Sequence, residues 1–315
     1  MDISMSRDEV LGFASLICGV GLFSTVEISS KAIGARVDPV VLTFIRFFLT
    51  GIVLMALSVP ILRLRLEPLG LRDYGIFCLN GFIGITLSIT IFHIAVLVFE
   101  KAASCAVVFS ANPVFVVIIA RFVNNEAWNL RKWVGVLTGA MGVSCFAWES
   151  GQLTISSLHG LGLMLLSAFL FALSVCITKR VIANYGAIVL MGFSALFGSL
   201  FLLPLVFVRL FCEGLGGLAE TWVLVLYVSL VGTALAYGFY YFGLLNTSAY
   251  KGSMTFFLKP VLASLLAAMI LHETINAYMV VGTTLILSGL FVSVMKPRKP
   301  LGLSPEQSVP GGSNS

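Results

Sequence analysis

Displaced by 147 residues, the second half of this chain registers on the first without a gap, and Leu97 to Phe146 against Leu244 to Ser293 shares 11 identities. The matches include Pro113 with Pro260, Glu126 with Glu273, Asn129 with Asn276, Gly135 with Gly282 and Gly142 with Gly289. Helix breakers, small packing residues and a charged loop are positions where backbone geometry restricts the choice of residue. The chain must therefore fold into two related units. An internal repeat in so apolar a sequence is a signature of secondary transporters.

The solvent for this fold is a bilayer. Hydrophobic residues make up 59% of the chain and charged residues 10%, whereas a soluble domain carries roughly 25% charged residues. A spanning helix needs ~20 mostly apolar residues. Ten such runs are predicted at 11–30, 39–60, 75–98, 102–120, 133–148, 159–178, 187–210, 222–245, 252–271 and 278–295. The expected fold is an all-α integral membrane protein, its ten transmembrane helices forming two inverted-topology five-helix repeats. The segmentation reads as a cytoplasmic N-terminal segment (1–10), a first repeat (11–148), an extracytoplasmic linker (149–158), a second repeat (159–295) and a disordered cytoplasmic tail (296–315). Two-residue periodicity is lacking, which argues against a barrel. Asp2, Asp8 and Glu9 against Arg7 give the N-terminus the wrong charge for a cleavable secretory signal. The six cysteines lie in or beside spans without a CxxC pair and read as apolar packing residues.

Charge placement sets the orientation. With the N-terminus in the cytoplasm, 13 loop lysines and arginines fall inside and 4 outside, while Arg46 and Lys259 lie within spans. That bias places both termini in the cytoplasm and accounts for the net charge of +5 without any nucleic-acid partner. Each unit holds five spans, an odd number, so the two copies run upside down relative to each other. A two-fold in the membrane plane then sets a shared cavity near the midplane.

Proline inside a helix removes a donor and frees the carbonyl four residues earlier. Pro113 releases the carbonyl of Phe109 and Pro260 that of Phe256, so each copy offers a kinked helix beside an aromatic ring. These kinks either put spans four and nine on a translocation path or are static, with the freed acceptor taken by a neighbour such as Ser110 or Thr255. Gly135, Gly139 and Gly142 in span five face Gly282, Ser288 and Gly289 in span ten as a close-packed helix pair. Glu126 and Glu273, at span ends, read as loop ties.

Ionisable groups within a membrane are the sharper clues. Lys259 lies about seven residues into span nine, ~10 Å deep at 1.5 Å per residue, and aligns with Asn112. It either holds a carboxylate or phosphate of a passing solute or snorkels to the headgroups. Glu27 and Arg46 fall at similar depth, near the outer ends of spans one and two, and are expected to form a structural ion pair. Asn80 and His93 in span three and Tyr237 in span eight are candidates to line the cavity, and His93 is the group there able to switch charge near neutral pH.

Ser110-Ala-Asn-Pro-Val with Glu126 and Gly135, and Phe257-Leu-Lys-Pro-Val with Glu273 and Gly282, resemble the EamA family of the drug/metabolite transporter superfamily over roughly residues 10–296. The resemblance implies a 5+5 inverted-repeat carrier exporting amino acids or other small metabolites across a bacterial inner membrane. It implies a central cavity lined mainly by helices one, three, four, six, eight and nine, which supports Lys259, Asn112, Phe109, Phe256 and Tyr237 as substrate contacts. Asn112 opposite Lys259 argues against a strictly two-fold symmetric site. The expected partners are a small-molecule solute and membrane lipid, with the protein a monomer or dimer in the plasma membrane. No cofactor or metal is expected. An intramembrane enzyme is disfavoured because the chain lacks HExxH, paired acids in one span, and a nucleophile beside a base. A sensor is disfavoured by the short loops.

Overall fold

The computed structural model describes residues 6–64, 68–98, 102–127, 129–149, 155–214, 217–271 and 277–294. Glu273, Asn276 and Trp128 lie outside these residues, as does the tail from 295 onward. Among the described residues every regular element is a helix. Five are continuous and apolar enough to cross a bilayer: α1 (Arg7–Ile33), α2 (Pro39–Arg63), α3 (Leu71–Val98), α7 (Ile155–Tyr185) and α10 (Leu218–Leu245). Span seven is a bent pair, α8 (Ala187–Leu200) and α9 (Leu203–Glu213), with a 46° break. Spans five and ten are α6 (Leu130–Glu149) and α13 (Ala277–Val294).

Spans four and nine are both interrupted just before their prolines. Span four divides into α4 (Ala102–Phe109) and α5 (Asn112–Val123), with Pro113 in the first turn of α5. Span nine divides into α11 (Ala249–Met254) and α12 (Leu258–Leu271), joined by a 3-10 turn over Thr255–Phe257. Proline suits a first helical turn because its missing donor is unneeded there.

Local chemistry sets several helix ends. Ser6 and Glu9 cap α1 reciprocally, each accepting the other's amide at 3.2 Å. Asp38 accepts from the amides of Val40 and Val41 ahead of Pro39, starting α2. The Glu126 carboxylate accepts the amide of Ala249 at 2.9 Å and pairs with Lys132 at 3.0 Å, tying the loop after span four to the start of span nine.

Packing follows the repeat. α1 packs on α10 as α7 packs on α3, and α12 meets α1 as α5 meets α7. Of the other pairs, α2 with α8 and α6 with α13 map onto themselves when the halves are exchanged, and α3 with α8 maps onto α10 with α2. In the α6–α13 pair a Cβ on Gly142 would lie 2.7 Å from the Gly282 carbonyl, and one on Gly289 2.7 Å from that of Gly135. Only glycine permits this approach.

The repeat reaches further than the ungapped register shows. Lys31 and Lys179 stand 148 apart, as do Val96 and Leu244. The ammonium of Lys31 donates to the Val96 carbonyl at 3.3 Å, and that of Lys179 to the Leu244 carbonyl at 2.8 Å. Each lysine thus caps the C-terminal end of its unit's third span, where the helix dipole favours a cation. π-Helical turns also recur, over Phe82–Ile89 in α3 and Leu230–Leu235 in α10. Such turns widen a helix locally and concentrate at functional sites.

Candidate functional site

The two halves meet around four phenylalanine rings. Phe109 and Phe256 are repeat-equivalent at 147 residues, and Phe23 and Phe171 at 148. Ring centroids lie 6.0 Å apart for Phe109–Phe256, 5.4 Å for Phe109–Phe171, 5.4 Å for Phe171–Phe256 and 6.0 Å for Phe23–Phe256. With Phe92 and Tyr237 they wall a cavity of about 30 Å³. Aromatic edges and faces are complementary at such separations, so the rings hold one another in place.

Three charged side chains enter this apolar chamber: Glu27 from α1, Arg46 from α2 and Lys259 from α12. Their exposures are 1%, 3% and 4%. Lys259 forms an ion pair with one carboxylate oxygen of Glu27. Its ammonium also lies 4.9 Å from the centre of the Phe109 ring and 5.7 Å from that of Phe256, within cation–π range. The second oxygen, Oε2 of Glu27, has no hydrogen-bond partner among the described residues.

The Glu27 pairing differs from the sequence expectation. Glu27 pairs with Lys259, 232 positions away, and Arg46 points elsewhere. Arg46 is engaged instead by Thr233 and His93. α1 continues to Ile33, so Glu27 sits nearly two turns inside the helix. Lys259 reaches an acid instead of the headgroups.

Arg46 is held by neutral partners. Its Nε donates to the Thr233 hydroxyl in the π-helical turn of α10. Its Nη1 lies 3.0 Å from Nε2 of His93, and Nδ1 of His93 lies 3.2 Å from Oγ1 of Thr43. Thr43 donates its own proton to the Pro39 carbonyl at 2.7 Å. Arg46 has only donors to offer and the Thr43 proton is taken, so the ring accepts at Nε2 and donates from Nδ1–H. His93 is therefore a neutral imidazole that positions Arg46 from behind the cavity wall.

The remaining candidates separate. Asn112 is fully buried and donates to the Ala168 carbonyl of α7 at 3.1 Å, away from the cavity lining. Asn80 donates to Ser194 and accepts from Ser174 and Thr178, beside a smaller hollow of about 10 Å³ shared with Tyr237 and Tyr241. The carbonyl that Pro260 frees on Phe256 lies 3.0 Å from the Ser110 hydroxyl, which it shares with the Ala106 carbonyl at 2.6 Å. That contact joins the break in span four to the break in span nine.

Arg46 was expected in a structural pair and instead lines the cavity. Phe23, Phe92 and Phe171 line it too and carry no distinguishing local motif. A register of 148 residues for the first three spans aligns Phe23 with Phe171, and that was the available signal. The same register sets Glu27 against Val175 and Arg46 against Ser194, while Lys259 faces Asn112 at 147. The rings obey the repeat and the charges break it.

Chemically, the chamber offers two cations, one acid and an aromatic wall. That set suits a carboxylate attached to an apolar body. The cavity is an order of magnitude smaller than the ~300–1,000 Å³ of small-molecule pockets, so this conformation is closed to a solute.

Comparison with known proteins places the chain among membrane carriers. It matches the EamA-like transporter family over residues 10–148 and 158–295. A Clostridium kluyveri protein named as an uncharacterized transporter is 27% identical over 294 residues, covering 91% of this chain and 94% of its own. A Salmonella typhimurium protein named as a probable amino-acid metabolite efflux pump is 23% identical, covering 61% of this chain and 67% of its own. A solved crystal structure shares the fold with a TM-score of 0.72 at 19% identity, over 92% of this chain and 97% of that one.

Proposed function

This chain belongs to the EamA-like transporter family, and we propose that it exports a small carboxylate-bearing metabolite, an amino acid or a related organic solute, by alternating access. Membership makes it a ten-helix membrane protein that moves a small molecule. The observation that carries the finer reading is the convergence of Glu27, Arg46 and Lys259 on one closed aromatic chamber between the two repeats. Two of these charges come from the first unit and one from the second, so a relative movement of the units alters the site. Buried charges are costly unless function retains them.

The repeats carry five spans each and run in opposite directions across a bacterial inner membrane, with both termini cytoplasmic. The name of the Salmonella relative supports export and amino-acid chemistry. The paired cations favour an anionic group on the solute. Breaks at Pro113 and Pro260 allow spans four and nine to bend as the chamber opens.

Counterflow in proteoliposomes tests this reading. Vesicles loaded with unlabelled solute are given labelled amino acids, monocarboxylates including phenylpyruvate, and phosphorylated metabolites. Transient accumulation of at least one carboxylate, dependent on internal solute, is the expected result. Strict preference for a phosphorylated solute would replace the carboxylate reading. Absence of counterflow across the panel would contradict a carrier of this class.

A further inference from the structure

We propose that the cavity selects a monoanionic aromatic or apolar carboxylate, and that Glu27 is the built-in counterion that lets the emptied cavity close. This rests on the reading of the chamber as the transport site and narrows its solute to carboxylates that carry no ammonium group. The charged groups at the cavity set its net charge. Glu27 contributes one negative charge and Lys259 and Arg46 one positive charge each. His93 is neutral by its hydrogen bonds. Lys31, one turn along α1 from Glu27, is held on the Val96 carbonyl and does not line the chamber.

The closed cavity therefore carries a net charge of about +1 and tolerates it, because Arg46 is hydrogen-bonded by Thr233 and His93. A monocarboxylate brings the total to about zero, giving two cations and two carboxylates in one low-dielectric chamber. Its negative group faces Arg46 and Lys259 while its apolar body meets the rings. Arg46 is the cation without an acid of its own, which leaves it to take the incoming carboxylate. Glu27 then keeps Lys259 neutralised, whether or not solute is present.

Removing Glu27 disturbs one half of the cycle. In Glu27→Gln the loaded cavity carries about +1, the charge the native empty cavity already closes around. The unloaded cavity carries about +2. Return of the empty carrier then fails while exchange of one solute for another continues. Removing Lys259 has the opposite sign: the loaded cavity carries about −1, and binding is lost. The two substitutions together restore the native count in both states.

The test uses the full chain in proteoliposomes with phenylpyruvate as the probe, measuring net efflux and counterflow for four proteins. Native protein performs both. Glu27→Gln loses net efflux by about 10²–10⁴-fold, the scale for stranding a buried charge, and retains counterflow. Lys259→Met loses both, and Glu27→Gln/Lys259→Met regains net efflux at a raised half-saturation concentration. The split in Glu27→Gln, net efflux lost and counterflow kept, is the decisive outcome, because removing both partners would rescue a purely structural ion pair as well but such a pair would not separate the two activities. Loss of both activities in Glu27→Gln, with or without rescue in the double variant, would overturn the proposal and leave the carrier reading intact. Native counterflow with zwitterionic amino acids but not with phenylpyruvate would overturn the monoanion assignment. Native failure with every solute would remove the carrier reading itself.

Discussion

Lys259→Met abolishes solute flux while the protein still reaches the membrane at native levels. The side chain is 4% exposed, and its ammonium is ion-paired with Glu27 and set over the Phe109 ring. Methionine keeps much of the stem's packing and removes the charge. Two effects then add. The solute's carboxylate loses one of its two cations, and Glu27 is left as a buried acid whose pairing partner is gone. Breaking a buried pair from one side costs ~3–5 kcal/mol, a factor of roughly 10²–10⁴ in an equilibrium. Flux in vesicles, normalised to membrane-inserted protein, checks this. Undiminished flux would mean that Lys259 is a structural strut with no part in solute handling.

Arg46 carries the second large effect. Arg46→Met lowers solute binding by roughly 30-fold or more, because truncating one partner of a desolvated charge pair costs ~2–5 kcal/mol. Arg46→Lys recovers only part of this. A lysine supplies the charge but not the planar fork that spans Thr233, His93 and a carboxylate together. Solute-induced thermal stabilisation of the purified protein gives the affinity without requiring transport. Equal affinities for Arg46→Met and the native protein would remove Arg46 from the site.

What the sequence disclosed depended on whether a feature was local. Pro113 and Pro260 announce their helix breaks because ring geometry forces them, and both breaks stand where the prolines place them. The pairing of Gly142 and Gly289 with the opposite helix was legible because close backbone approach tolerates no Cβ. Lys259 stood out through depth in an apolar run.

The identity of its partner did not, because Glu27 lies 232 positions away. Its depth was also misjudged from an apolar run shorter than α1 itself. The role of Arg46 was hidden for a related reason. Its contacts come from α3 and from a π-helical turn in α10, and such a turn leaves no periodic trace in a uniformly apolar span. Phe23 and Phe171 were concealed among 25 phenylalanines, and only a one-residue shift of the repeat register distinguishes them.

Alternating access requires the chamber between the repeats to open to each face of the membrane in turn. Val26 lines it and is small and buried. Val26→Cys, in a background with the six native cysteines replaced, therefore reports directly on access. A membrane-impermeant thiol reagent added to right-side-out and to inverted vesicles is expected to modify this residue from both faces, and transported solute is expected to slow both reactions. Modification from one face alone, or rates indifferent to solute from either face, would contradict alternating access through this chamber.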